Sequence, residues 1–282
     1  MPEFDPGPVE EPFATLARDY PGEDVYPPGD FRVEWGPIFH RGRLDGSAKV
    51  VLVGQDPGQH ESIAHRILVG EAGQRVQGFL KKLGIDRSYA MVNAYLYSVY
   101  GQSAGEHHAG DKAIADYRDK WLDALIAGSG VEAVVSFGHL GREAFERWKK
   151  TPTGKQTTVH FEHLTHPTMP DAASKGDKAK RAEAMKKMLK EWNGALDRLD
   201  GALGERDSDV TLEHYGDDLT PEDRAPIPLR DLPPGAPPWW SSLKTWADRV
   251  AVGEFSTPEQ RTEAKRATVV VTVPKGERPW VV

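Results

Sequence analysis

The chain of 282 residues contains no cysteine. That absence excludes disulfide bonds, thiolate-held zinc and thiolate-held iron–sulfur clusters. Long apolar runs are also lacking. Nothing approaches the ~18 residues that mark a membrane-spanning helix, and no charged-then-apolar leader opens the sequence. A soluble cytoplasmic protein without a membrane partner is expected. Hydrophobic residues make up 38% of the chain and charged residues 28%. At this length the expectation is one substantial core with elaborations.

The net charge of −7 is unevenly spread. Residues 1–30 hold eight acidic side chains and one basic, and residues 200–231 hold ten acidic and three basic. Residues 31–199 carry 25 basic against 20 acidic side chains, and nine of the ten histidines. A positive core between acidic flanks permits a polyanionic partner without requiring one.

Strand candidates are Lys49–Val53, Tyr89–Asn93, Glu132–Phe137 and Thr158–Leu164. Helical patterns lie at Arg75–Leu83, Lys112–Ala127, Leu140–Trp148 and Lys178–Trp192. The alternation predicts an α/β domain of three layers, with a mostly parallel sheet of about four strands and helices on both faces. Residues 1–30 read as an acidic surface arm with a short helical pattern at Phe13–Tyr20. Residues 31–199 read as the regular core domain. Residues 200–282 read as an acidic, Pro-rich extension packing on the core, with a helical piece at Ser241–Val250 and a β-branched run at Ala267–Val273.

Ligands of such sheets bind beyond the carboxyl ends of the strands. Gly54-Gln55-Asp56-Pro57-Gly58 follows the apolar run Val50–Val53 there, Asn93 ends the second strand, and His166-Pro167 follows the fourth. Asp56 suits a general base, a water-orienting group or a stabiliser of a cation; a turn aspartate capping the next helix is the plain alternative. Gln55 can aim its amide or backbone N–H at a carbonyl oxygen. The Asn93 amide offers a donor and an acceptor to a nucleobase edge, or simply ends its strand. His166 can hydrogen-bond a leaving group or be satisfied by backbone. His160, His163 and His166 do not make a metal site on a strand, because residues three apart point to opposite faces. Between Lys175 and Lys190, seven basic residues stand against two acidic ones. Lys175 and Lys178 begin that run beside His166, where phosphate contact and a solvated helix face are both open readings.

These residues, in this order, resemble the uracil-DNA glycosylase superfamily from about Phe31 to Trp192. Gly54-Gln55-Asp56-Pro57 looks like the water-activating motif of the nuclear and mitochondrial type. Val69-Gly70-Glu71-Ala72-Gly73-Gln74 looks like the helix-opening segment of the bacterial and archaeal iron–sulfur type. Val92-Asn93-Ala94 falls where the superfamily keeps its base-reading asparagine. Ser136-Phe137-Gly138 matches the small strand-end motif, and His166-Pro167-Thr168 resembles its His-Pro-Ser motif.

The resemblance implies hydrolysis of the N-glycosidic bond of deoxyuridine in single- or double-stranded DNA, with the base flipped into a pocket. It assigns Asp56 to the developing cation and water, His166 to negative charge at uracil O2, and Asn93 and Gln55 to the base. Thr168 and Met169 fall against the DNA, Met169 as a wedge. No cofactor is implied, and a monomer is expected. Two departures stand out. Gly58 replaces a tyrosine that crowds the uracil C5 position, and Leu68 replaces a phenylalanine that stacks on the base, a task Tyr97 could take over. Two other outcomes fit the same scaffold: covalent trapping of uracil-DNA through His107 or His108, and damaged-DNA binding without catalysis.

Overall fold

The run Val50-Val51-Leu52-Val53 becomes the central strand of a five-stranded sheet in a computed structural model that describes residues 4–279, the side chains of residues 102–104 apart. Strands β1 (Arg41–Gly42), β2 (Val50–Gly54), β3 (Tyr89–Asn93), β4 (Ala133–Phe137) and β5 (His160–Leu164) lie in the spatial order β1-β3-β2-β4-β5. Strand β2 pairs parallel with both β3 and β4, and β4 parallel with β5. The helices are α1 (Phe13–Arg18), α2 (Glu61–Ala64), α3 (Glu71–Lys82), α4 (Gln102–His107), α5 (Lys112–Ile126), α6 (Gly138–Trp148), α7 (Pro152–Gln156), α8 (Met169–Ser174), α9 (Lys178–Ala202) and α10 (Pro258–Ala267). A separate antiparallel pair, β6 (Ala247–Arg249) with β7 (Val269–Val271), lies in the C-terminal extension.

Because side chains alternate across a strand, β2 feeds two cores. Val50 and Leu52 join Val76, Phe79 and Leu80 of α3 and Met188, Leu189 and Trp192 of α9. Val51 and Val53 join Trp121 and Leu122 of α5 and Phe145 and Trp148 of α6 on the other face. The expected three-layer α/β architecture is present. Among the described residues no helix is long and apolar enough to cross a membrane.

The structure differs from the sequence reading in three places. The sheet has five strands rather than four; β1 is a two-residue antiparallel edge, too short for any periodicity to announce. It is held by the buried Arg41 side chain, which reaches Gln77 at 3.1 Å and Asp231 at 3.3 Å. Ser241–Val250 is not helical. A 3-10 turn at Pro238–Ser241 leads into β6, because Trp240 and Trp246 stack at 5.1 Å and Trp246 closes on His60. The N-terminal segment is more than a surface arm: Phe13 packs on Trp121 at 5.3 Å, and Tyr26 is buried against Phe31 and Tyr97. Residues 1–3 and 280–282 of the two flanking segments fall outside the described residues.

The ring of Trp192 is fully buried, with Phe79, Phe137 and Tyr215 at 5.4, 5.7 and 5.8 Å, and its Nε1–H donates to the Thr165 carbonyl at 3.2 Å. Trp192→Ala is expected to cost about 3–5 kcal/mol in urea unfolding. Exposed Lys187→Ala is expected to stay within about 0.5 kcal/mol.

Candidate active site

Register brings the motifs together. Gly54 pairs with Asn93, so β2 and β3 end level, and Asn93 Oδ1 lies only 2.3 Å from where a Cβ on Gly54 would stand. Only glycine lets the asparagine amide cross the end of β2. That amide is buried and makes no hydrogen bond to the described residues, leaving its donor and acceptor for a ligand.

Beyond Gly54 the chain is pinned by Ala94 N–H to the Gly54 carbonyl and Tyr95 N–H to the Gln55 carbonyl, both at 3.0 Å. The Gln55 side chain turns toward the β4–α6 junction, where its Oε1 accepts from Leu140 N–H at 3.5 Å. Gly138 there has φ +76°, and a Cβ on it would lie 2.6 Å from the Gln55 Cδ. Gln55 therefore keeps its side-chain NH2, rather than its oxygen, for a ligand.

The Asp56 carboxylate accepts from Val99 N–H at 3.3 Å. It keeps part of its surface open yet is closely surrounded by protein, and burial pushes its pKa up to about 6. The Val99 N–H and Arg249 pull it down, and the nearby Glu61 charge pushes it up. Glu61 is itself buried and collects three backbone donors: Gly58 N–H at 3.0 Å, Val69 N–H at 3.0 Å and Gly70 N–H at 3.4 Å. It ties the Asp56 turn to the segment that opens α3. A Cβ on Gly58 would lie 2.8 Å from Glu61 Oε2. A tyrosine at that position would displace the carboxylate that organises both turns, which accounts for the glycine.

His166 follows β5, which β4 separates from β2 in the sheet. Thr168 N–H points at its Nδ1 at 3.4 Å, and the Thr168 hydroxyl lies 3.2 Å from the same atom. An N–H can only donate, so Nδ1 accepts and the ring proton sits on Nε2. Burial, aided by the Arg75 charge, pushes the His166 pKa down to about 4, so the ring is a neutral donor near pH 7. Arg75 also holds the turn, with Nη1 on the Pro167 carbonyl at 2.6 Å and on Asp171 at 2.9 Å.

The remaining candidates are spread around this centre. Leu68 has φ +55° and is buried in the core with Ile67, Val76 and Phe79, so it shows a base little more than an edge. Tyr97 packs on Tyr26 at 4.8 Å, its hydroxyl toward the Pro21 carbonyl, and is no stacking platform. Met169 starts α8, half-buried beside His166. Lys175 and Lys178 are exposed and form no ion pair with the described residues, whereas Lys180 and Lys186 do. His108 is held between Asp30 at 2.9 Å and Asp111 at 2.5 Å, while His107 is exposed. His160 pairs with Glu162 at 2.7 Å and His163 with Ser136 at 3.1 Å. No group of three metal-ligating side chains gathers among the described residues. A cavity of about 30 Å³ is lined by Tyr95, His108, Arg118 and Leu140, and Asp56, Asn93 and His166 are not among its lining residues.

The family model described as the Uracil DNA glycosylase superfamily matches residues 41–193, more than half of the chain, and spans every one of these motifs. The chain belongs to the uracil-DNA glycosylase superfamily. A search of curated proteins returned no match. Membership carries a DNA glycosylase-type function, a hydrolase acting on a DNA substrate.

Sequence reasoning missed Glu61, Arg75, Thr168 as the partner of His166, and Arg249. Glu61 had a usable signal, since an acid three residues after Gly58 can reach back to its N–H as helix-opening acids do. Arg75 reads in sequence only as an i,i+4 partner of Glu71. Arg249 had none, lying 193 residues from Asp56.

On folding, the Asp56 pKa rises from 3.8 to about 6. The folded chain thus holds that proton more tightly than the unfolded chain; the stability this confers is complete below pH 3.8 and gone once the pH has risen past about 6. Asp56→Asn removes the cost of the buried charge. Its Tm is expected to exceed the parent's at pH 7.5, with the gap closing as the pH falls toward 4. A lower Tm at pH 7.5 would mean that the carboxylate stabilises the fold.

Proposed function

We propose that the protein is a monofunctional uracil-DNA glycosylase, which hydrolyses the N-glycosidic bond of deoxyuridine and leaves an abasic site. The observation that carries this reading is the opposed electrostatics of two groups at the carboxyl end of one sheet. Asp56 is a carboxylate still ionised near neutral pH, and His166 is a neutral Nε2–H donor, with the unbonded Asn93 amide at the same strand ends.

The flipped uracil presents its N3–H and O4 to the Asn93 amide. Cytosine reverses donor and acceptor there and would leave buried polar groups unpaired, a basis for strong rejection. As the C1′–N1 bond lengthens, its electron pair departs with the base, and the sugar approaches an oxocarbenium ion. Asp56 stabilises that cation, orients the water that adds to C1′ and takes up the proton that the water sheds. His166 donates a hydrogen bond from Nε2 to uracil O2, where the negative charge collects. A neutral donor spares the base a full protonation. The exposed Lys175 and Lys178 meet DNA phosphates, and Met169 fills the space the base vacates. Covalent trapping is disfavoured by the Asp30–His108–Asp111 arrangement, which leaves His108 no free nitrogen.

The test uses end-labelled single- and double-stranded oligonucleotides carrying one uracil, incubated with protein and divided between hot alkali and no treatment before a denaturing gel. Alkali-dependent cleavage is expected, falling below about pH 6 as Asp56 takes up its proton. Asp56→Asn and His166→Ala are each expected to lose about 10²–10³-fold in rate with DNA binding retained. Full activity in Asp56→Asn would remove the role given to that carboxylate. A retarded band surviving denaturation, and lost on His107 substitution, would replace hydrolysis by trapping. DNA binding without release of uracil or any other base would leave a binding module.

A further inference from the structure

The C-terminal extension reaches the catalytic centre. Ile227, Leu232, Trp239, Trp240 and Trp246 form an apolar cluster with Ala64 of α2 and with Val69. From that cluster β6 runs past the residues that directly follow the Asp56 turn. Ala247 N–H donates to His60 Nε2 at 3.3 Å, the Thr245 hydroxyl lies 3.2 Å from the same nitrogen, and Gln59 Nε2–H donates to the Ala247 carbonyl at 3.5 Å. Backbone pairing of Arg249 with Val269 of β7 fixes the end of β6. There Arg249 Nη2–H donates to the Ser98 hydroxyl at 3.4 Å, next in the chain to Val99, whose N–H is bound to Asp56.

We propose that Arg249, delivered by the extension from outside the family-matched region, is a positioning residue that supplies the counter-charge of Asp56. The groups that act on that carboxylate are the Val99 N–H, the Glu61 carboxylate on α2, and Arg249; the Tyr95 phenol lies close enough to feel the Asp56 charge. Among the described residues Arg249 is the one cation in this set. It makes no ion pair with Asp56, and its Nε has no hydrogen-bond partner. A direct bridge would occupy the carboxylate oxygens that must face the sugar and the water. A guanidinium held one residue away, on Ser98, favours the charged form by its field alone and leaves those oxygens open.

The opposing groups are in place as well. Arg32 shares the Trp35 ring with Arg249, with guanidinium carbons 4.6 and 5.6 Å from its centroid, and Arg266 adds a second like charge. Burial, aided by these cations, lowers the Arg249 pKa, while the Asp56 and Glu61 charges hold it up. Burial already lifts Asp56 to about 6 with Arg249 present. Without that cation the carboxyl would keep its proton further into the neutral range.

The proposal rests on the reading of Asp56 as the charge-bearing group of a glycosylase site, so its test includes a readout that does not need turnover. In the full-length chain, the ¹³C carboxyl resonance of Asp56, identified by its loss in Asp56→Asn, is titrated in the parent, Arg249→Met, Arg249→Gln and Arg249→Lys. Single-turnover uracil release is followed over the same pH range. In Arg249→Met and Arg249→Gln both the Asp56 midpoint and the acid limb of the rate should move up by about one pH unit, the rate recovering at high pH. Arg249→Gln can keep the Ser98 hydrogen bond without the charge, and Arg249→Lys should restore the parent profile. An unmoved midpoint in Arg249→Gln overturns the proposal. So does a rate loss equal at every pH, which is what a merely structural role would give. A midpoint shifted in Arg249→Gln, together with a parent that releases no uracil, upholds the counter-charge and overturns the glycosylase reading instead.

Discussion

The site depends first on the parallel register that sets Gly54 of β2 level with Asn93 of β3. A slip of one residue would send Val51 and Val53 into the opposite core and carry the Asp56 turn away from the amide. The pairing is secured on both sides of β2, by β3 and by β4, and by helices on both faces of the sheet. Connections leave β2 toward β3 and then return past it to β4, and that reversal opens the crevice in which ligands of such sheets bind.

Around this frame, side chains that touch no substrate in the proposed mechanism decide what the reacting groups can do. Glu61 gathers the Gly58, Val69 and Gly70 N–H groups, so one carboxylate organises two turns. Thr168 sets the tautomer of His166, and Arg75 both clamps the Pro167 carbonyl and keeps a positive charge beside the imidazole. Burial then moves the two titrating groups in opposite senses, a carboxyl upward and an imidazole downward, toward each other's usual range. Both shifts disfavour charge, and both are sustained by the same close packing.

The acidic flanks have a structural use. Asp5 pairs with Arg66 at 2.6 Å and lies 3.1 Å from His40. Asp231 is fully buried between Arg41 and Arg43, Asp223 pairs with Lys82, and Asp207 accepts the N–H groups of Asp86, Arg87 and Ser88. The flanks thus neutralise core cations, while Lys175 and Lys178 form no ion pair among the described residues. The uneven charge along the chain becomes a charge pattern on the folded surface.

Much of this was legible before folding. The apolar runs and the glycine- and proline-bounded turns mark the four main strands, the helices between them, and the strand ends where Asp56, Asn93 and His166 stand. Those are local properties: periodicity, turn chemistry and the presence of a reactive side chain in a segment. The two-residue β1, the burial of Phe13 and Tyr26, and the strand formed by Ala247–Arg249 depend on partners remote in sequence, which local preference does not encode. The same division holds within the site. The amino-acid sequence by itself determined which groups are available and at which strand ends. Only the tertiary structure decided their charge states and tautomer, because those follow from desolvation and from neighbours such as Glu61, Arg75 and Arg249 that packing alone brings close.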